Sequence, residues 1–222
     1  MSVPYRPPRL PLDEMLARAT GLHAELEARR SVRQYSDEPV PRELIELAIR
    51  TASSAPSGAN LQPWTFVAIG DVELKRRVRD AAEQEERRTY EERMSAEWRE
   101  ALAPLGTGWR KPFLTVAPWL VVLLAQRHGR HPDGRVRKHY YVTESVGMAA
   151  GLFVSAVHHM GLATVPYTPA PMTFLARLLD RPDNERPFAL FPVGYPAPDA
   201  EVPDIERKPL DEVAVWFPGR VH

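Results

Sequence analysis

The chain has 222 residues, 44% of them apolar and 26% charged, with 29 acidic side chains against 29 basic ones. This composition is typical of a globular domain with one sizeable core, and zero net charge argues against a nucleic-acid binder that works by neutralising phosphates. The lack of cysteine excludes disulfides, and without a signal peptide or a stretch of about 18 apolar residues we expect a cytoplasmic protein that does not enter a membrane.

The first part of the chain predicts an extended arm, then helices and one strand. Residues 1–11 are rich in proline and predict the arm, and apolar residues at helical spacing predict a helix over 12–28. A second amphipathic stripe predicts a helix between residues 41 and 56. The β-branched and aromatic run at 65–69 predicts a buried strand, and a capped helix over 72–82 follows it.

The strongly charged segment that begins at residue 83 leaves two interpretations open. Tyr90, Met94 and Trp98 follow one another at a spacing of four, so they share one face of a helix. The first interpretation is a solvated surface helix held by ion pairs. The second is an active-site lid over 83–111, whose aromatic and apolar stripe docks when substrate is present.

The second part of the chain predicts two strands around a long helix. The continuous apolar run at 117–125 predicts a central strand, and 128–138 predicts a basic surface loop. The helix predicted over 140–160 is apolar nearly all round, so we expect it to be buried in the core and at a subunit interface. Residues 188–195 predict the last strand. The apolar residues of 196–222 predict a C-terminal arm that packs on a partner subunit.

Two segments carry the strongest functional signal. The first concentrates three guanidinium groups and a hydroxyl, which suit a phosphate: Arg29, Arg30, Ser31, Val32 and Arg33. The second runs from 54 to 64, where Pro56 and Gly58 set a backbone path that lets a planar ligand approach the main chain. An anion site beside such a loop suggests a phosphorylated aromatic cofactor. The alternative is a solvated basic run followed by an ordinary turn.

Other kinds of site are disfavoured by the residue patterns. The seven histidines give no metal site, because His158 and His159 face different directions on their helix and the others lack a fixed carboxylate or cysteine partner. No Gly-x-Gly-x-x-Gly sequence, P-loop or nucleophile elbow is present. A Rossmann nicotinamide site is therefore not implied, and reducing power has to come from a partner or a loosely bound donor.

The two functional segments resemble the flavin nitroreductase superfamily, in which the arginine-serine segment binds the phosphate of FMN. The sequence 55–59, followed by Pro-Trp-Thr-Phe at 63–66, resembles more narrowly the iodotyrosine deiodinase family. The similarity runs from about Glu27 to about Val213. It implies an α+β nitroreductase fold, as a single domain over 1–222 with a central mixed β-sheet flanked by helices. It also implies a homodimer with exchanged terminal arms.

The resemblance implies FMN as the cofactor and assigns its contacts. The residues so assigned are Arg29, Arg30, Ser31, Val32, Arg33, Pro56, Ser57, Gly58, Pro166, Tyr167, Thr168 and Arg207. Thr168 resembles the hydroxyl that hydrogen-bonds flavin N5 and is thereby a catalytic residue. Such a hydrogen bond favours stepwise one-electron transfer over hydride transfer.

The deiodinase resemblance also assigns a substrate site. In that family a Glu, a Tyr four residues later and a Lys in a Trp-x-Lys sequence grip the amino acid portion of the substrate, and Glu86, Tyr90 and Lys111 match this pattern. The chemistry is reasonable, because a zwitterion needs a carboxylate for its ammonium and a cation for its carboxylate. The backbone of Ala59 resembles the donor to the substrate phenolate and is the second catalytic group.

The implied reaction is the reductive dehalogenation of 3-halotyrosines to tyrosine and halide. The resemblance implies a soluble homologue of bacterial type, without the membrane anchor of the animal enzymes, fed by an NAD(P)H-linked reductase, ferredoxin or flavodoxin. Asn60, Leu61 and Gln62 depart from the His-Thr-Glu common in the animal enzymes. Two alternatives stay open: a broad NAD(P)H-dependent nitroreductase or quinone reductase with two-electron chemistry, and a non-catalytic FMN- or tyrosine-binding sensor.

Overall fold

The computed structural model describes residues 2–217; Met1 and residues 218–222, which end the two predicted arms, lie outside the described residues. The helices in this range are α1 (Leu12–Ala28), α2 (Arg42–Ala52), α3 (Val72–Arg88), α4 (Ala96–Leu102), α5 (Phe113–Val116), α6 (Val142–His159), α7 (Thr173–Leu178) and α8 (Leu210–Val213). The strands are β1 (Trp64–Ile69), β2 (Trp119–Gln126), β3 (His128–Arg130), β4 (Val136–Lys138), β5 (Ala163–Thr164) and β6 (Glu185–Gly194). Between residues 2 and 217, no helix combines the length and apolar character needed to cross a bilayer.

One four-stranded sheet organises the fold, in the order β1-β2-β6-β5. All pairings between these strands are antiparallel, and a parallel bridge between Ser31 and Thr164 extends the sheet at its β5 edge. The predicted α+β class with a central sheet flanked by helices is confirmed, and the sheet is mixed only through that bridge. The bridge places the arginine segment alongside β5.

The sheet separates two apolar cores, which gives the molecule three layers. Side chains of β2 alternate between them: Val121 and Leu123 face α2 and α6, whereas Val122 and Leu124 face α3, α5 and α7. All four of these side chains are fully buried. The continuous apolar run that predicted a central strand therefore reflects a strand that is covered on both faces.

Two predicted segments differ from the structure. The expected surface loop at 128–138 is the β3–β4 hairpin, turned at Gly134 with a φ of 85°; its residues are mostly exposed, so no alternation of apolar and polar side chains reveals the strands. Helix α3 continues to Arg88, beyond the predicted end at 82. Ion pairs four residues apart, such as Arg79 with Glu83 at 2.7 Å, support this polar extension.

Helix α6 was expected to be buried nearly all round, but within the described chain only one of its faces is buried. Val146, Ala149, Phe153 and Val157 are fully buried, but Met148 is 43% exposed. Helix α1 has no fully buried residue, and four of its large apolar side chains are exposed: Leu12, Met15, Leu16 and Leu22. A single copy of the chain thus leaves apolar helix faces uncovered.

Candidate active site

The three residues predicted to bind the amino acid portion of the substrate lie together. Glu86, near the end of α3, and Lys111, just before α5, form an ion pair with 3.3 Å between Oε2 and Nζ. Their side chains are only 13% and 5% exposed. Tyr90 lies one turn after Glu86, and its hydroxyl donates a hydrogen bond to the carbonyl of Thr107 at 3.1 Å. We call these three residues the clamp.

Neighbouring groups hold Lys111 in place. The backbone N–H of Lys111 donates to Oε1 of Glu83 at 2.7 Å, so α3 anchors both ends of the ion pair. The Nζ atom also donates to the Oγ1 of Thr107 at 3.2 Å. It lies 5.8 Å from the ring centre of Tyr90 and 5.5 Å from that of Tyr167, at the range of cation–π contacts.

The electrostatics of the clamp are set by burial. Burial lowers the pKa of Lys111, and the attraction of Glu86 only partly offsets this. Burial and the charge of Glu86 raise the pKa of Tyr90 and, more strongly, that of Tyr167, so both phenols stay protonated. The clamp therefore offers one carboxylate, one cation and the neutral hydroxyl of Tyr90, with that of Tyr167 beside it.

A cavity of about 240 Å³ opens in front of the clamp. The lining adds a cationic group, Arg33, and a hydroxyl, Thr168, to the clamp residues. The stripe of Tyr90, Met94 and Trp98 also faces this space. The charged segment is thus neither a continuous helix nor purely a solvated surface: a wider turn spans Thr89–Arg93, the chain breaks at Met94, and Ser95 caps α4.

A second cavity, of about 330 Å³, adjoins the first and shares Arg33 with it. Guanidinium groups dominate its lining, where four arginines outnumber the one carboxylate, that of Glu206, and a hydroxyl is added: Arg29, Arg30, Arg33, Arg207 and Ser31. Burial and repulsion from Arg207 and Arg30 lower the pKa of Arg29. Such clustered positive charge is relieved by an anion, and the guanidinium fork matches phosphate geometry. These residues therefore fit the phosphate end of FMN.

The C-terminal segment builds one wall of this second cavity. Arg207 donates hydrogen bonds to the carbonyls of Glu27 and Arg29, each at 2.8 Å, and Arg30 donates to the carbonyl of Pro203. Val32, in contrast, packs its side chain against the core formed with α3 and α7. Its N–H donates to the carbonyl of Thr164 at 3.3 Å, and its carbonyl accepts from the hydroxyl of Tyr35 at 2.7 Å, so its predicted cofactor contact stays a prediction.

The segment 166–168 connects the clamp cavity to the sheet. Tyr167 is 8% exposed and is joined to Leu190 of β6 by two backbone hydrogen bonds of 2.8 and 2.9 Å. Pro166 and Thr168, on either side of it, are exposed and line the clamp cavity. Thr168 can therefore present its hydroxyl to a ring bound in that cavity.

The loop at 56–60 lies elsewhere in the described chain and lines neither cavity. Ala59 has φ 51° and Asn60 has φ 52°, in the left-handed region that residues with a side chain rarely adopt. Asn60 and Leu61 donate the hydrogen bonds of this turn, and within residues 2–217 the N–H of Ala59 has no acceptor. Strained backbone with a free donor is typical of a ligand site.

Gly58 allows this loop to lie against the start of α6. A Cβ atom there would meet the carbonyl oxygen of Tyr140 at 2.6 Å and a ring carbon of Tyr141 at 3.0 Å. The N–H of Gly58 also donates to the Oγ of Ser145 at 3.3 Å. The position of Ala59 is thus set by packing onto α6.

Sequence reasoning missed two contributors to the site. Thr107 and Glu83 were not singled out, although both bond to Lys111, because a threonine and one more glutamate in a polar segment carry no distinguishing pattern. Tyr167, which was predicted to contact the cofactor, has a further contact that the sequence did not indicate: its hydroxyl donates to Oε1 of Glu86 at 3.2 Å. Among residues 2–217, no group of three or more His, Asp or Glu side chains is arranged to hold a metal ion.

Comparison with known proteins places the chain among flavoproteins. The model of the nitroreductase family matches residues 26–195. An iodotyrosine deiodinase from Haliscomenobacter hydrossis is 49% identical over 215 residues, which cover 97% of both chains. That of Danio rerio is 44% identical, over 96% of this chain and 72% of the fish protein.

A solved structure is similar over nearly its whole length. It is an oxidised iodotyrosine deiodinase bound to FMN and 3-iodo-L-tyrosine. It superposes with a TM-score of 0.77 at 31% identity and covers 89% of this chain and 99% of its own. A BluB-like flavoprotein of Clostridium difficile, at 20% identity and a TM-score of 0.67, shares the fold. The predicted nitroreductase fold is thereby confirmed.

Proposed function

Because the chain belongs to the nitroreductase family, in the branch of the iodotyrosine deiodinases, we propose that it reductively dehalogenates 3-halotyrosines with FMN as cofactor. The observation that carries this proposal is the clamp: a nearly buried carboxylate and ammonium, 3.3 Å apart, at the back of a cavity that adjoins four arginines. A general nitroreductase does not require such a pair, whereas recognition of a zwitterionic amino acid requires both a carboxylate and a cation.

The reaction replaces a carbon–halogen bond with a carbon–hydrogen bond. Two electrons and one proton convert 3-iodotyrosine to tyrosine and iodide, and FMN supplies the two electrons when it is bound in reduced form. Arg29, Arg30, Ser31 and Arg207 would hold its phosphate, and the ring would then lie toward Arg33 and Thr168. The hydroxyl of Thr168 is the group that would donate to the ring nitrogen N5 and favour stepwise transfer.

The clamp recognises the amino acid portion of the substrate. The ammonium of the substrate binds Glu86 and its carboxylate binds Lys111, so that one ion pair within the protein is exchanged for two with the ligand. The segment 83–111 closes over the substrate as a lid, because Tyr90, Met94 and Trp98 already face the cavity. Closure removes water and strengthens the electrostatic contacts inside.

The other end of the substrate is a phenol made more acidic by the neighbouring halogen. The free N–H of Ala59 is the donor that binds the resulting phenolate. In a single chain this N–H lies away from the clamp cavity, so we propose that the loop of one protomer completes the cavity of its partner in a homodimer. The uncovered apolar residues support that assembly: Leu12, Leu16, Leu22, Met148, Val215, Trp216 and Phe217 are all at least 43% exposed.

The terminal arms belong to the same proposal. Residues 2–11 form neither helix nor strand and are almost wholly exposed, as are residues 214–217 after α8. Arms of this kind gain stability only by packing on another surface, and exchange between two protomers supplies one. The electron donor is then an external NAD(P)H-linked reductase, ferredoxin or flavodoxin. Light scattering tests the homodimer directly.

The function is tested by ligand binding followed by turnover. FMN-loaded protein is titrated with 3-iodotyrosine while flavin fluorescence is followed, and dithionite is then added without oxygen. We expect fluorescence quenching, and tyrosine and iodide in equal amounts after reduction. Bound FMN without quenching would leave only a general nitroreductase, whereas quenching without any tyrosine would indicate a sensor.

A further inference from the structure

We propose that Tyr167 is a positioning residue, whose hydroxyl holds the carboxylate of Glu86 in place when the substrate separates Glu86 from Lys111. This inference rests on the proposed function, since it concerns how the amino acid portion of a halotyrosine is bound. It assigns to Tyr167 a role in substrate selection in place of the cofactor contact expected from the sequence. The hydroxyl donates to Oε1 of Glu86 at 3.2 Å.

The two oxygens of Glu86 have different partners. Oε2 faces the ammonium of Lys111 at 3.3 Å, and Oε1 accepts the hydrogen bond from Tyr167. When the substrate inserts its charges, the contact with Lys111 is the one that must open. The contact with Tyr167 can persist, so the carboxylate keeps its direction while it exchanges one cation for another.

Lys111 has an anchor of the same kind on the other side of the clamp. Its Nζ donates to the Oγ1 of Thr107 at 3.2 Å. Each charge of the pair therefore has one charged partner, which the substrate displaces, and one neutral partner, which it does not. An arrangement of this type preserves the geometry of both charges and reduces the ordering required on binding.

Tyr167 is well suited to act as an anchor because it is rigid. Its backbone exchanges two hydrogen bonds with Leu190, in the middle of the sheet. Its ring packs edge-on against Phe113, with 5.8 Å between the ring centres, and is almost completely buried. Glu86, in contrast, lies near the end of a polar helix. The hydroxyl thereby ties the clamp to the sheet.

The substitution Tyr167→Phe removes the hydroxyl and keeps the packed ring. The dissociation constants of 3-iodotyrosine and of 2-iodophenol, which lacks the zwitterion, are measured by calorimetry on the FMN-loaded protein. We expect the preference for 3-iodotyrosine over 2-iodophenol to fall about tenfold, as for loss of a hydrogen bond to a charged group. A preference equal to that of the parent protein overturns the proposal.

A double-mutant cycle separates positioning from a general structural effect. If Tyr167 acts through Glu86, Tyr167→Phe causes no further loss of preference in a Glu86→Gln background. Equal losses in both backgrounds show that the hydroxyl acts independently of the carboxylate and refute the proposal. If the parent protein itself binds 3-iodotyrosine no better than 2-iodophenol, the proposed function fails and this inference fails with it.

Thr65→Val is the matched control. The hydroxyl of Thr65 donates to Oε1 of Glu185 at 2.5 Å, and Arg181 contacts the other oxygen at 2.7 Å. This carboxylate therefore has the same pair of partners as Glu86, one neutral and one cationic, but Thr65 lines neither cavity. We expect Thr65→Val to change thermal stability and to leave the preference for 3-iodotyrosine at its parent value.

Discussion

Removal of the positive charge from Lys111 is the most direct probe of the clamp. Lys111→Met keeps most of the aliphatic stem of this buried side chain and deletes only the ammonium, which lies near the rings of Tyr90 and Tyr167. The substrate carboxylate then has no cation opposite it. Arg33 faces the same cavity, but in the proposed assignment it serves the cofactor.

The magnitude follows from the geometry of the ion pair. Two unit charges 3.3 Å apart attract each other by about 5 kcal/mol at an effective dielectric of roughly 20. Most of this is offset by the cost of burying both charges. Glu86 keeps its hydrogen bond from Tyr167 and is 13% exposed, so we expect the free energy of unfolding to fall by about 1–3 kcal/mol.

The same substitution should also weaken the binding of 3-iodotyrosine. A charge-assisted contact to the substrate carboxylate contributes about 1.5–3 kcal/mol, so the dissociation constant of 3-iodotyrosine is expected to rise roughly 10- to 150-fold. The assay is quenching of flavin fluorescence in the FMN-loaded protein, with 2-iodophenol titrated in parallel. Because 2-iodophenol has no carboxylate, its affinity should change little.

Lys75→Met is the control for loss of a buried lysine. Lys75 lies on α3, the helix that carries Glu86, is 5% exposed, and donates to the carbonyl of Ala117 at 2.7 Å, outside the cavity lining. We expect a stability loss and parent-like affinity for 3-iodotyrosine. The clamp assignment is wrong if folded Lys111→Met binds 3-iodotyrosine as tightly as the parent. It is also wrong if both ligands weaken equally, since the loss would then be structural.

Three further predictions address pH, the loop and the cofactor. Because burial lowers the pKa of Lys111 and only the cation binds a carboxylate, affinity for 3-iodotyrosine should be full below that pKa and fall as the pH rises through it. In a pH series of dissociation constants, Lys111→Arg should move this decline to higher pH, because arginine stays protonated and only the substrate ammonium then titrates. Gly58→Ala should displace the Ala59 loop, because its Cβ would clash with Tyr140. We expect 3-iodotyrosine and 2-iodophenol to lose affinity to the same extent, since both present a phenolate. Unchanged affinity for both ligands contradicts the phenolate site. Arg29→Ala should weaken FMN binding about tenfold or more by loss of a charge-assisted contact, whereas Arg50→Ala, on the exposed side of α2, should not; flavin release during dialysis decides between them.

The local elements were largely predictable because their signals are local. A strand covered on both faces needs apolar residues at every position, so the run at 117–125 predicted β2 without reference to its neighbours. The hairpin at 128–138 gave no such signal, because exposed strands carry no alternation. The end of α3 was also misjudged, since ion pairs rather than apolar contacts support its last turns.

The substrate residues were identified through the family resemblance. Their spacing in the sequence does not by itself show that all three lie close together in the fold. Glu86 and Tyr90 are four residues apart, so a helix suffices to bring them onto one face. Lys111 is 25 residues further along the chain than Glu86, and only the packing of α5 on α3 closes that gap. Thr107 was not predicted because it lies in an irregular segment, where no sequence pattern indicates which residue a side chain will contact.

The sequence by itself determined the kind of chemistry: three guanidinium groups within five residues suit a phosphate, and a carboxylate with a lysine suits a zwitterion. These are chemical properties of the side chains, and they do not depend on the fold. Only the tertiary structure decided which partner each group serves. Tyr167 and Thr168 are adjacent in the chain and both line the cavity, but backbone pairing with β6 buries Tyr167 so that its hydroxyl reaches Glu86, whereas Thr168 stays exposed. The sequence does not contain this difference, because the partner of a side chain depends on what the fold packs around it.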